Sequence, residues 1–235
     1  MNIQNSIPPK ATIGMIHTLA LPGTPMYNNN WDEIISKACE EALVYLQNGV
    51  DALCIENMHD TPYLNRNAGP EIVSCMTAVA CAVKRISNLP CGIQILAAAN
   101  KQALSVAKAA KLQFMRCEGF VFAHIADEGL MNSDAGELLR YRKMIDAENV
   151  AIICDIKKKH SSHAITLDVD IAETAKAAEF FRADGLIITG VSTGKPAIPN
   201  EIEVVKKNVN IPVWVGSGIT FENLETYFSD RKSVV

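Results

Sequence analysis

The chain has 235 residues, 49% hydrophobic and 20% charged, with a formal net charge of −4. This is the balance of a globular chain with a large core, and the length suits one α/β barrel or doubly wound sheet better than two small domains. The acidic balance offers no electrostatic case for nucleic acid or an anionic membrane, and no apolar run approaches the roughly 20 residues of a transmembrane segment.

Met1–Lys10 lacks both the apolar stretch of a secretory signal and the Arg-rich pattern of a transit peptide, so a cytoplasmic location is expected. Thr12–His17 is the first apolar run. A loop rich in Pro, Gly and Asn follows over Leu21–Asn30. Asp32 then caps a helix with Ile34, Ile35, Ala38, Ala42, Leu43 and Leu46 on one face, ended by Asn48-Gly49. The second run is Ala52–Asn57, followed by a helix over Pro70–Ile86 with Pro in its first turn. The third is Cys91–Leu96, with an Ala-rich helix over Asn100–Ala110 behind it. The fourth and weakest is Phe114–Cys117. Glu118–Ser133 is the longest interruption, and its apolar content predicts an ordered loop or lid. A helix over Asp134–Ile145 leads to run five, Val150–Ile156, and the basic stretch Lys157-Lys158-Lys159-His160. A helix over Asp170–Arg182 precedes run six at Gly185–Gly190. Glu201–Asn208 reads as helical, Val213 opens run seven, and a last helix spans Phe221–Phe228.

Continuous rather than alternating apolar runs suit parallel strands covered by helices. The expected architecture is a single TIM (β/α)8-type barrel domain over 1–235, incomplete at its eighth unit. Residues 229–235 are too short and polar for both a strand and a helix. A truncated product is favoured over a partner-completed barrel or an open sheet. Bare edges on strands one and seven would then lower stability and solubility relative to a chain with an eighth unit. The cysteine count is odd, at seven, and contains no Cys-x-x-Cys pair, which points to a reducing compartment without a disulfide framework.

Barrel chemistry gathers at the C-terminal ends of strands. The runs end on His17, Glu56 with Asn57, Gln94, Arg116, Asp155 with Lys157, Thr189, and Ser217. Glu56 and Asp155 are the acid/base candidates, with His17 and Arg116 assisting. The competing reading is structural: either carboxylate paired with Arg116 or Lys157, and His17 merely hydrogen-bonded. Asn57, Gln94, Lys157 and Thr189 are candidate substrate contacts. Lys157–Lys159 either steers an anion to the mouth or is a solvated loop. No His-x-His or His-Glu-x-x-His spacing occurs, so no metal is assigned, and no cofactor is named. Gly190, Thr193 and Gly194, then Gly216, Ser217 and Gly218 with Thr220 as helix N-cap, are candidate phosphate contacts through backbone N–H groups. Tight βα turns need the same residue types.

The segments Gly14–His17 with Leu21-Pro22-Gly23, Asp51–Asn57, Ala183–Gly190 with Thr193-Gly194, and Val215–Thr220 together resemble the BtpA/SgcQ family, from about Thr12 to Phe228. The resemblance implies a TIM-type barrel akin to the ribulose-phosphate-binding barrels. Its cyanobacterial member is associated with stable accumulation of photosystem I reaction-centre proteins, as a peripheral thylakoid protein. The resemblance carries no catalytic residues with it. The chain departs from the family by ending before the closing βα unit, which removes half of the phosphate corner.

Two functions compete. One is an enzyme or binder for a small phosphorylated metabolite at the barrel mouth. The other is a non-catalytic assembly or stability factor for a membrane protein complex. A truncated isoform without independent activity is a third reading, and a homo-oligomer is left open.

Overall fold

The computed structural model describes residues 3–190, 194–220, 222–228 and 233–234. One curled parallel sheet runs in the order β1 (Ile13–His17), β2 (Ala52–Glu56), β3 (Cys91–Gln94), β4 (Phe114–Cys117), β7 (Ala151–Asp155), β9 (Gly185–Thr189), β10 (Val213–Gly216) and β11 (Ser233–Val234). The remaining strands, β5 (His124–Ala126), β6 (Gly129–Met131) and β8 (Ser161–Ser162), form a separate antiparallel sheet. The helices are α1 (Trp31–Gln47), α2 (Pro70–Ser87), α3 (Asn100–Ala109), α4 (Ala135–Met144), α5 (Ile171–Phe180), α6 (Pro199–Asn208) and α7 (Leu224–Phe228). Parallel strands in chain order with intervening helices make a TIM-type α/β barrel, as expected.

Local chemistry adjusts the expected boundaries. Asn30, not Asp32, caps α1: its side-chain oxygen accepts from the Glu33 N–H. The last helix begins at Leu224 rather than at Phe221, which lies outside the described residues.

The tail supplies two residues to the ladder, with Val213 opposite Ser233 and Trp214 opposite Val234. Among the described residues β1 and β11 do not pair, so the sheet has a seam between them. Thr12 and Thr18 bond to β2, so the odd-numbered residues of β1 turn their backbone groups toward the seam. The Tyr45 hydroxyl, on α1, donates to the Met15 carbonyl there at 3.0 Å. Gly14 makes this possible: a Cβ would lie 2.6 Å from the Tyr45 ring.

Inside the barrel, Cys54, Phe114, Ile153, Ile187 and Trp214 form a separate apolar cluster. Phe114 and Trp214 meet edge to face with centroids 5.2 Å apart. Gly92 leaves the space for Phe114, whose ring a Cβ would approach to 2.1 Å. The N-terminal segment belongs to this cluster. Ile3, Ile7 and Ala11 are buried, closing the barrel at the end from which β1 starts.

The interruption at 118–133 is ordered. It folds into the β5–β6 hairpin, to which β8 adds from the loop after β7. Arg66 pins this lid, donating to the carbonyls of Ala98, Gly119 and Asn132 and pairing with Asp134. Asn65 donates to the carbonyls of Glu128 at 3.2 Å and Leu130 at 3.0 Å.

His124 is expected to make the lid acid-sensitive. It is 5% exposed, and its Nε2 meets no partner among the described residues. Burial, with lesser repulsion from Lys158, His163 and Arg66, pulls its pKa down to about 4. The unfolded chain takes up this proton near pH ~6.5, while the folded chain refuses it. The stabilisation is therefore complete above that pH and is lost as pH falls toward 4. The urea midpoint of the wild type should drop between pH 7 and pH 5 more than that of His124→Gln. Parallel drops in the two proteins would refute this assignment.

Candidate active site at the barrel mouth

The strand ends open into a cavity of about 430 Å³. Side-chain alternation decides what faces it. His17, Glu56 and Gln94 stand in register at the ends of β1, β2 and β3, two residues above the inward-facing Met15, Cys54 and Gly92. His17 Nε2 lies 3.3 Å from Glu56 Oε2. The imidazole is the more accessible partner, at 39% against 12% for the carboxylate. Burial by itself would raise the Glu56 pKa. The hydrogen bond from His17 and the charges of Arg116, His17 and Lys159 outweigh it and hold the carboxyl below its ordinary value.

The second acid/base candidate is engaged differently. Asp155 receives a two-point ion pair from Arg116, Nε to Oδ2 at 2.7 Å and Nη2 to Oδ1 at 2.8 Å. The Asp155 side chain is 1% exposed. Burial opposes the charge on Arg116, but Asp155 and then Glu56 hold it protonated. The pair engages both carboxylate oxygens, the structural alternative that the sequence left open for Asp155.

The basic loop after β7 contributes Lys158 and Lys159 to the mouth. Lys158 Nζ donates to Glu118 Oε1 at 3.0 Å, and the other Glu118 oxygen accepts from the Ala98 N–H. Burial raises the Glu118 pKa against the pull of Lys158. Lys159 Nζ donates to Ser217 Oγ at 2.9 Å. Burial and then the charge of Arg116 lower the Lys159 pKa, opposed by Asp155, Glu56 and Glu118. Lys157, singled out from sequence, instead donates to the Thr166 carbonyl and does not line the cavity.

The glycine segments divide between packing and lining. A Cβ on Gly190 would lie 2.0 Å from the Lys195 carbonyl oxygen, and one on Gly218 would lie 2.3 Å from the Lys195 carbonyl carbon. The loop after β9 thus folds back onto Gly190 and crosses over the turn after β10 at Gly218, two close approaches that only glycine permits. Gly216 packs toward the Ile187 and Thr189 side chains. Gly194, Ser217 and Gly218 line the cavity, all with positive φ. Thr193 lies outside the described residues. Thr189 is buried, with a hydroxyl that meets no partner among the described residues. Asn57 is 1% exposed and ties the loop after β2, accepting from the Leu96 N–H and donating to Asp60. The mouth thus brings together His17, Glu56, Gln94, Arg116, Asp155, Gly194, Ser217 and Gly218 from the sequence candidates. It adds Tyr63, Glu118 and Glu128, and draws Lys158 and Lys159 from the basic stretch.

Residues 9–235 match the BtpA family. A Caenorhabditis elegans protein whose name carries the word mitochondrial is 49% identical over 227 residues, covering 94% of this chain and 82% of the worm protein. The photosystem I biogenesis protein BtpA of Synechocystis is 32% identical over 224 residues, covering 95% of this chain and 77% of its own. Among solved structures, the N-acetylmannosamine-6-phosphate 2-epimerase of Clostridium perfringens superposes with a TM-score of 0.60 at 15% identity, covering 100% of this chain and 89% of the enzyme. The orotidine 5'-monophosphate decarboxylase of Methanocaldococcus jannaschii gives 0.53 at 14%, covering 98% and 89%. At these identities the two enzymes establish the shared barrel fold.

Proposed function

The chain belongs to the BtpA family, and from that premise and the mouth geometry we propose that it binds and converts a small phosphorylated metabolite at the C-terminal face of its barrel. The observation that carries this reading is the division of one cavity. At one side Lys159 meets the Ser217-Gly218 turn, offering an ammonium, a hydroxyl and backbone groups to an anion. Along the adjoining rim, His17 and Glu56 form a proton-carrying pair. The two superposed enzymes are named for phosphorylated substrates, which supports the reading by analogy of fold.

In this mechanism the phosphate sits against Lys159, Ser217, Gly194 and Gly218. His17, the more exposed partner, exchanges a proton with the substrate. The ionised Glu56 behind it orients the ring and stabilises the imidazolium. Arg116 and Asp155 neutralise one another on the wall of the cavity.

Titration with inorganic phosphate tests the anion end. Lys159→Met should weaken binding roughly 10–100-fold, the loss of a charge-assisted hydrogen bond. Unchanged affinity in a folded variant would remove Lys159 from the site.

The photosystem role belongs to the Synechocystis relative by name, and no helix among the described residues is long and apolar enough to cross a membrane. Given the name of the worm relative, fractionation should sample both cytosol and mitochondria.

A further inference from the structure

Two acceptor atoms inside the mouth have no donor. Gln94 is 2% exposed, and its Oε1 meets no hydrogen-bond partner among the described residues. Glu128 Oε2, from the β5–β6 hairpin of the lid, is likewise buried and unpartnered. Both residues line the cavity that holds His17 and Glu56. Buried polar atoms are almost always hydrogen-bonded, and two exceptions in one cavity call for a common explanation.

Their position supplies it. Gln94 ends the third strand of the sheet and Ser217 follows the seventh. In an eight-position ring, the third and seventh places face each other across the mouth. Glu56, directly beside Gln94 in the register, and His17 beyond it lie on the arc between them. A ligand with its phosphate at Lys159 and Ser217 therefore passes the proton-carrying pair before its far end reaches Gln94 and Glu128.

The far side is also acidic. Tyr63 has its pKa pushed up to about 12, first by burial and then by Glu56, Asp60, Glu118 and Glu128. Glu118 is already held by Lys158 and the Ala98 N–H, which leaves Gln94 and Glu128 as the open acceptors. A second anionic group is disfavoured there. Groups that donate hydrogen bonds are favoured.

We infer that the far end of the ligand carries hydroxyl donors read by Gln94 Oε1 and Glu128 Oε2, so that the substrate class is a polyhydroxylated sugar phosphate rather than a simple alkyl or aryl phosphate. This rests on the phosphate reading of Lys159 and Ser217 and narrows it. The lid then acts as a specificity element: its hairpin turn places Glu128, and Asn65 fixes that turn by holding the Glu128 and Leu130 carbonyls.

Calorimetric titration of the full chain with inorganic phosphate, propyl phosphate and a panel of pentose and hexose phosphates tests this. At least one sugar phosphate should bind about tenfold or more tighter than propyl phosphate, the worth of one or two hydrogen bonds. Gln94→Met should erase most of that preference while leaving inorganic phosphate affinity unchanged. Glu128→Leu, on the lid and outside the barrel core, should do the same if the Gln94 variant does not fold. If phosphate and propyl phosphate bind as tightly as every sugar phosphate, the inference falls and the phosphate site stands. If no phosphate-bearing probe binds, both fall.

Discussion

Replacing His17 with Asn, or Glu56 with Gln, is expected to reduce turnover of the proposed phosphorylated substrate by about 10²–10⁴-fold, the range of a positioned acid/base group. Phosphate affinity should change far less than turnover, because neither side chain donates to the Lys159–Ser217 contact itself. The two substitutions act by different routes. His17→Asn removes the group that faces the cavity. Glu56→Gln keeps the volume but removes the charge that the surroundings hold on this buried carboxyl. The loss should therefore fall on kcat more than on KM in both variants. A double variant should be little worse than either single one, since the two side chains act as a unit 3.3 Å apart. Multiplicative losses would show that the pair does not work as one device. Full turnover in either single variant would remove it from the chemistry.

The second large effect concerns stability. Arg116→Met should destabilise the fold by roughly 3–5 kcal/mol, because it leaves an uncompensated buried charge. That charge is Asp155, whose side chain is 1% exposed. Asp155→Leu should cost a comparable amount by stranding the guanidinium. The double variant should recover most of the loss, since an apolar pair of similar volume dispenses with both desolvation penalties. Urea unfolding of the four proteins closes the cycle. If Asp155→Asn abolishes turnover without lowering the midpoint, Asp155 is an acid/base group and the structural assignment of the pair is wrong.

The barrel was legible in the sequence because its strands are buried on both faces. They appear as continuous apolar runs, and all seven became strands at the expected places. The lid was legible only as an ordered interruption. Its strands are two or three residues long, too short for any periodicity to register. The N-terminal contribution to the core was missed because Ile3 and Ile7 are isolated apolar residues in a polar stretch.

The site was legible as a ring of polar strand ends, but pairing within the ring depends on register. β4 and β7 align Arg116 with Ile153, which lets a long guanidinium reach Asp155 two residues further on, and no spacing in the sequence encodes that offset. Among three consecutive lysines, only backbone geometry decides which ammonium faces the mouth. Lys157 has positive φ and turns to Thr166, while Lys158 and Lys159 point inward.

The Tyr45 hydroxyl sits on the Met15 carbonyl at the seam of the sheet, in the hollow left by Gly14. A carbonyl oxygen has two lone pairs, so a strand that joins β1 along that edge would share this acceptor with the phenol rather than find it bare. Tyr45 in this sense gives the sheet edge a partner of its own where an unpaired carbonyl would otherwise stand bare. Tyr45→Phe removes only the hydroxyl, and so would leave that edge carbonyl with one donor fewer.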